Sequence, residues 1–193
     1  MHTISIKNND FVKYLIKFIG IFCLLYFGTL AVIGLVSPGG KYYFSFLDEH
    51  LNYIAWLRAS LLFGTKQVFS IIGLTAYTKN VYTITILNGK SIHIVYSCLG
   101  YGVMSFWAAF VLANDGSFIK KTSWLLLGLL MIWGINVFRL FLFLLAINNN
   151  WSSPFGLNHH TLFTIFAYCG IFIMIYFFDK SDNKILKEHN DFT

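Results

Sequence analysis

The sequence predicts an all-α polytopic membrane protein with about four transmembrane helices, one interfacial amphipathic helix and one small extracytoplasmic β-hairpin. Of the 193 residues, 57% are hydrophobic and only 11% are charged, whereas a soluble domain carries about 25% charged residues. The apolar residues are also grouped into runs long enough to cross a bilayer, which takes about 20 residues. We expect one membrane domain over residues 1–193, because no linker or change of composition divides the chain.

Four apolar runs are predicted to span the membrane. They cover about residues 11–36, 96–113, 123–147 and 160–178. The first run is followed by Pro38, Gly39 and Gly40, and the second by Asn114, Asp115 and Gly116, which are typical chain-breaking residues. The first run is too long for a cleaved signal peptide, so we expect it to be retained as a span.

Residues 51–74 predict an amphipathic helix that lies in the membrane interface. Arg58, Gly64, Lys66 and Gln67 interrupt this stretch and argue against a full span. The remaining apolar residues recur at helical spacing and form one predicted face, made of Ile54, Leu57, Leu61, Leu62, Val68 and Ile72.

Residues 81–96 change to a period of two and predict a β-hairpin. Two runs rich in β-branched and aromatic residues, 81–86 and 91–96, flank Asn88 and Gly89. Asn-Gly between alternating runs is the strongest short-range hairpin signal. The hairpin leads directly to Cys98.

Short loops rich in lysine predict the orientation of the spans. The N-terminus, the Lys120-Lys121 loop and the C-terminal tail are basic, so we expect all three in the cytoplasm of a multi-pass protein of the cell (inner) membrane. The hairpin and the loop 148–158 then lie outside, provided that residues 51–74 do not cross. The net charge of +6 is explained by these loops and by lipid headgroups, and no nucleic-acid partner is predicted.

This topology brings three chemically active groups to the extracytoplasmic side. Cys98 lies at the outer end of its predicted span, and His159 and His160 lie at the outer end of the last one. Arg139 lies about eight residues before the outer end of its span, which corresponds to roughly 12 Å. The topology was derived from the loop lysines alone, so the convergence is independent of the chemistry.

Arg139 is the most informative charge in the sequence. An arginine inside a span costs about 2.5–3.5 kcal/mol on insertion scales, and the predicted spans contain no Asp or Glu to pair with it. Its partner is a carbonyl, a lipid phosphate, a thiolate or a reaction intermediate, and the alternative is that it extends to the headgroups. Asn136 lies one turn earlier on the same helix face and is suited to hold the guanidinium.

Cys98 is the candidate nucleophile. A cysteine by itself is typical of a structural thiol, but a thiolate is nucleophilic and is stabilised by a neighbouring cation. Arg139 can serve as that cation or stabilise a tetrahedral oxyanion, and an imidazole can transfer the protons. Gly100 and Gly102 leave space beside the sulfur.

The other two cysteines and His93 are predicted to lie outside the catalytic site. Cys23 and Cys169 lie in the middle of predicted spans, where a cysteine is typical of a small buried hydrophobic residue. His93 is a competing imidazole, but its position on the hairpin predicts a solvated side chain. No cysteine or histidine spacing typical of a zinc site occurs, so no metal is predicted.

At these residues the chain resembles the exosortase/archaeosortase family, as a short and divergent member. The similarity covers about residues 82–178. The motifs are Cys98-Leu99-Gly100 at the start of a span, Asn136-Val137-Phe138-Arg139 in the next, and His159-His160 before an aromatic span. Leu99 departs from the family pattern, which usually has a small polar residue there.

The resemblance implies a membrane-embedded cysteine protease or transpeptidase that cleaves C-terminal sorting signals of exported proteins through a cysteine thioester. Cys98 would be the nucleophile and Arg139 the oxyanion or substrate stabiliser. His160 would be the acid/base, with His159 as the alternative. The implied partners are membrane-anchored substrates and the lipid bilayer, without a metal or organic cofactor.

Two other functions fit the same residues. A non-enzymatic membrane transport or assembly protein would use Arg139 to bind a lipid or an anionic solute. A thiol redox or acyl-transfer enzyme would use Cys98. Redox chemistry is disfavoured, because the other two cysteines lie in the middle of predicted spans and are poorly placed to resolve a disulfide.

Overall fold

The structure is a computed structural model that describes residues 8–37, 39–40, 42–151, 161, 165 and 168–180. It is mostly helical, with one small three-stranded sheet. The chain divides into two compact units, made of residues 1–60 with 99–129 and of residues 61–98 with 130–193.

The helices and strands follow one another in a simple order. The helices are α1 (Asn8–Val36), α2 (Ser45–His50), α3 (Tyr53–Ile71), α4 (Tyr101–Ala113) and α5 (Phe118–Asn148). Between α3 and α4 come the strands β1 (Ala76–Asn80), β2 (Thr83–Ile86) and β3 (Ser91–His93), and then a 3-10 turn (Tyr96–Leu99). Residues 168–180 form a further helical stretch.

Among the described residues, two helices are long and apolar enough to cross a membrane, namely Asp10–Val36 within α1 and Phe118–Asn148, which is α5. They coincide with the predicted spans 11–36 and 123–147. Only 6% of the most apolar window of α1 is buried inside the protein, so large apolar side chains cover its surface. A soluble protein rarely exposes so much contiguous apolar surface, which supports a membrane environment.

The predicted span over residues 96–113 is shorter than expected. The 3-10 turn and Gly100 occupy its beginning, and α4 contains only 13 residues, below the roughly 20 that a span needs. Of the predicted span 160–178, the described residues from 168 onward are helical. The structure therefore supports two helices of spanning length where the sequence predicted about four.

The first unit is held together by aromatic side chains on α1 and α4. Four rings one turn apart stack along α1, and two rings of α4 pack against them. They are Tyr14, Phe18, Phe22 and Tyr26 on α1, and Tyr101 and Phe106 on α4. The rings of Phe18 and Phe106 meet edge to face at 5.4 Å, a favourable arrangement for aromatic pairs.

The segment between α1 and α3 and the first turn of α3 expose a second group of aromatic side chains, namely Tyr42, Tyr43, Phe44, Phe46, Tyr53 and Trp56. Tyr43 donates a hydrogen bond of 2.9 Å to the Asp48 carboxylate, and this bond raises the pKa of the phenol. Exposed aromatic residues beside polar groups are typical of the membrane–water interface.

Helix α3 confirms a helix within residues 51–74, and it is not among the helices apolar enough to span. Its buried face differs from the predicted one. The buried side chains are Ile54, Arg58, Leu61, Leu62, Thr65 and Phe69. Arg58 is only 5% exposed and thus does not interrupt the buried face, whereas Ile72 lies beyond the helix and is 49% exposed.

The sheet in the second unit confirms the predicted hairpin and adds a strand. β2 and β3 are antiparallel neighbours, with Asn88 at φ 59° in the turn between them, a conformation that Asn tolerates well. β1 pairs antiparallel with the other side of β2. One face carries the buried side chains Ile84, Ile86, Ile92 and Ile94, and the opposite face carries hydroxyl and imidazole groups.

The hairpin turn is fastened to the C-terminal end of α5. The Lys90 N–H donates to Asn148 Oδ1 at 2.6 Å, and Lys90 Nζ donates to Asn150 Oδ1 at 2.5 Å. Gly89 lies so close to Asn148 that a Cβ atom there would clash with the amide. The hairpin and the chain after Asn148 therefore lie at the same end of α5, as the loop-charge argument requires.

Candidate functional site

Cys98 lies in the 3-10 turn that follows β3. Ile94 is fully buried, and its N–H donates to the Tyr82 carbonyl at 2.7 Å, which fixes the chain as it leaves the sheet. The Cys98 N–H then donates to the Val95 carbonyl at 2.9 Å. The side chain of Cys98 is half-buried. The thiol is thus presented from a short hydrogen-bonded turn and not, as predicted, from the end of a long helix.

Gly100 turns the chain from this segment into α4. Its φ of 75° lies in the left-handed region, which only glycine adopts without a penalty. The preceding residue, Leu99, is fully buried. Gly100 was predicted to leave space beside the sulfur, and the structure gives it a conformational role at the start of α4.

Arg139 reaches Cys98 from the second half of α5. One terminal nitrogen of its half-buried guanidinium donates a hydrogen bond of 2.7 Å to the Cys98 backbone carbonyl. The Cys98 thiol is also near enough to the guanidinium to interact with it electrostatically. The two residues that the sequence placed on one side of the membrane are therefore in contact.

The contact answers which kind of partner Arg139 has. Among the partners that the sequence left open, the structure shows a backbone carbonyl, with the thiol of the same residue nearby. No carboxylate among the described residues forms a salt bridge with Arg139. A guanidinium carries five N–H donors, which is more than these contacts with Cys98 use.

The part of α5 that carries Arg139 is fixed by close packing against α3. The rings of Phe69 and Phe141 lie 4.8 Å apart. A Cβ atom on Gly64 would come within 2.8 Å of Val137 and 2.9 Å of Trp133, so only glycine permits this approach. Because this packing is rigid, the part of α5 that carries Arg139 is held in a fixed position against α3.

Asn136 lies one helical turn before Arg139, as the sequence indicated. It is 4% exposed, and a buried amide requires hydrogen-bond partners. Its burial places a polar side chain inside the protein next to the helix position that carries the guanidinium. A role in holding Arg139 stays a prediction.

Of the three candidate histidines, the structure describes one. His159 and His160, the predicted acid/base pair, lie outside the described residues. His93 is exposed on β3, as predicted, where its Nδ1 lies 3.2 Å from the Thr83 hydroxyl and its ring lies 5.6 Å from that of Tyr82.

The other two cysteines occupy separate positions. Cys23 is half-buried in α1 and Cys169 is exposed, and all three cysteines are free thiols. Cys169 thus lies on the protein surface of its helical stretch, and its predicted place in the middle of a span stays a prediction. Within the described part of the chain, no three His, Cys, Asp or Glu side chains are grouped to bind a metal ion.

Sequence reasoning missed the contact between Lys90 and Asn148, which places the hairpin and therefore the strand that leads to Cys98. The only signal was the run Asn148-Asn149-Asn150, because asparagine at a helix end often hydrogen-bonds to nearby backbone. Comparison with models of protein families, with curated proteins and with solved structures finds no match. The argument for chemistry at Cys98 therefore depends on the residues and contacts of this chain.

Proposed function

We propose that this protein is a membrane-embedded cysteine protease or transpeptidase of the exosortase/archaeosortase type, which cleaves C-terminal sorting signals of exported proteins. The observation that carries the proposal is the contact between Arg139 and Cys98. A guanidinium beside a thiol stabilises the thiolate, which is the nucleophilic form.

The proposed reaction is acyl transfer. The Cys98 thiolate attacks the carbonyl carbon of a peptide bond, and the negative charge moves to the carbonyl oxygen, where remaining Arg139 donors stabilise it. The intermediate collapses to a thioester at Cys98, and the C–N bond breaks. The leaving amine takes the proton that the thiol lost. An amine, a hydroxyl or water then attacks the thioester and releases the thiol.

Proton transfer in this scheme is assigned to His160, with His159 as the alternative, on the basis of the family resemblance. An imidazole changes charge near neutral pH and can accept and return a proton in one cycle. No cofactor takes part in the scheme. The substrate would be a membrane-anchored protein with a short recognition motif, a hydrophobic helix and a basic tail.

The proposed location is the cell (inner) membrane, with both termini in the cytoplasm, about four spans and the site on the extracytoplasmic side. Three features support it. Two helices have spanning length and composition, the segment between α1 and α3 exposes aromatic side chains, and the hairpin is fastened to the C-terminal end of α5. The basic loops give the direction.

The test is processing of membrane-anchored proteins with hydrophobic C-termini in cells that carry the wild-type chain or Cys98→Ala. Cys169→Ala is the matched control, since it removes an exposed thiol that is not the candidate nucleophile. We expect Cys98→Ala to leave substrates uncleaved and to abolish a thioester adduct trapped in the wild type. Normal cleavage by Cys98→Ala would overturn the proposal and favour a binding protein that depends on Arg139.

A further inference from the structure

β3 forms one edge of the sheet, because the strand order β1-β2-β3 places no strand on its outer side. The Ile94 N–H donates to Tyr82 and Ile92 pairs with Ile84, so the even-numbered residues direct their backbone groups toward β2. Successive residues of a strand point these groups to opposite sides. Ser91 and His93 therefore direct their N–H and C=O groups outward, where no described residue pairs with them.

This edge is open to an approaching chain. Ser91, His93 and Val95 are exposed, and an exposed strand edge is a template for pairing with another extended segment. The edge contains no proline. Lys90 precedes the strand and its ammonium group donates to Asn150.

The opposite edge, β1, is protected in ways that β3 is not. Lys79 lies within the strand, and the register shifts between Thr78 and Asn80. An edge lysine and a bulge are both features that prevent pairing with other chains. Of the two edges of this sheet, β3 is thus the one suited to accept a further strand.

β3 also leads directly to the candidate nucleophile. Cys98 follows His93 by five positions, and the Arg139 hydrogen bond fixes the backbone at Cys98. We infer that the β3 edge binds the substrate, as an added strand formed by an extended, non-helical segment of the membrane-anchored protein next to the bond that is cleaved. The inference rests on the proposed function and names the subsite that it requires.

Binding of this kind is made by backbone hydrogen bonds, with side chains adding selectivity. The exposed apolar side chain of Val95 offers one such contact near Cys98. We therefore expect substrates to share an extended conformation at this segment. A particular residue type there should matter less.

The test removes one outward N–H by His93→Pro. Proline is tolerated in an edge strand when its nitrogen faces away from the sheet, so the ladder with β2 is preserved. Thr78→Pro is the matched control, because Thr78 is exposed and is the corresponding outward position of β1. His93→Ala separates the imidazole from the backbone. The probes are the membrane proteins that stay uncleaved in Cys98→Ala cells.

We expect His93→Pro to slow cleavage of these proteins roughly fivefold or more, as loss of a backbone hydrogen bond predicts, while Thr78→Pro cleaves at nearly the wild-type rate. His93→Ala keeps the outward N–H and should slow cleavage less than His93→Pro. Normal cleavage by His93→Pro overturns the inference and leaves the proposed function intact. Normal cleavage by Cys98→Ala overturns both.

A second measurement does not depend on the stability of the proline variants. A photoreactive phenylalanine analogue is placed at position 93 or at position 78 of the full chain carrying Cys98→Ala, in its membrane. We expect irradiation to crosslink the same uncleaved proteins at position 93 and not at position 78. Equal crosslinking at both positions, or none at position 93, contradicts the β3 edge as the subsite.

Discussion

The guanidinium of Arg139 donates a 2.7 Å hydrogen bond to the backbone carbonyl of Cys98 and lies beside the thiol of the same residue. One side chain therefore holds the backbone of the candidate nucleophile and supplies the positive charge next to its sulfur. Hydrogen bonds to charged groups contribute about 1.5–3 kcal/mol, so the contact is expected to matter for both stability and chemistry.

Arg139→Lys keeps the charge but loses the planar fork of donors. We expect it to lower the midpoint of thermal unfolding in detergent and to slow substrate cleavage at least tenfold, since one ammonium cannot serve the carbonyl and the thiol together. Arg139→Gln should lose more of both. Lys66→Gln, a charge change at an exposed position of α3, is the control and should leave both measurements unchanged.

Cys98 should be the most reactive of the three thiols. We expect iodoacetamide at neutral pH to alkylate Cys98 faster than Cys23 or Cys169, because a neighbouring cation stabilises a thiolate. Mass spectrometry of the purified chain measures the rates. Arg139→Gln should slow alkylation of Cys98 alone. Preferential labelling of the exposed Cys169 would show that accessibility and not Arg139 determines reactivity.

The close approach of α3 and α5 is tested at two glycines. A Cβ atom on Gly64 would meet Val137 at 2.8 Å, whereas one on Gly134 would meet nothing within 4 Å. Gly64→Ala should destabilise the protein by about 1–3 kcal/mol through overpacking. Gly134→Ala should be neutral or stabilising by up to about 1 kcal/mol, from helix propensity. Thermal unfolding in detergent decides, and equal effects would contradict the packing.

The fastening of the hairpin is tested by a double-mutant cycle. Gly89→Ala should be destabilising, because its Cβ would clash with the Asn148 amide. Asn148→Ala should also be destabilising, since the Lys90 N–H loses its acceptor. In the double variant the clash is removed. The loss of stability of the double variant should therefore be smaller than the sum of the two single losses by about 0.5–3 kcal/mol. Additive effects would mean that the two positions do not meet.

The strands show how far local sequence determines this fold. β2 and β3 could be predicted from alternating β-branched residues around Asn88 and Gly89. β1 could not, because it contains Lys79 and Asn80, which strands disfavour, and only Ala76 within it is buried. Its pairing with β2 depends on tertiary contacts, and no periodic pattern in the β1 sequence predicts it.

The helices were misjudged where a polar or conformational detail overrides the apolar pattern. The run over residues 96–113 is continuous in hydrophobicity, but the left-handed Gly100 delays the start of α4. Arg58 was predicted to interrupt the apolar stretch 51–74 and was not included in its buried face, because charged residues are almost never fully buried, yet it is only 5% exposed.

For the candidate site, Cys98 and Arg139 could be predicted from the sequence, because the predicted topology brings a thiol and a charge to the same side of the membrane. It left the partner of Arg139 open, because every residue has a backbone carbonyl and only the fold brings one within reach. The position of the β3 edge likewise depends on strand order, which the sequence did not indicate.

The hairpin turn is held by an asparagine that the ribosome adds 58 positions later than Lys90. β2 and β3 therefore leave the ribosome before their anchor exists, and the turn is secured only after α5 has been made and put in place. If α5 were inserted in the opposite direction, Asn148 would lie at the end of α5 far from the hairpin, and its hydrogen bond with Lys90 could not form. Formation of this contact thus makes completion of the Cys98 segment dependent on correct placement of α5 during biosynthesis.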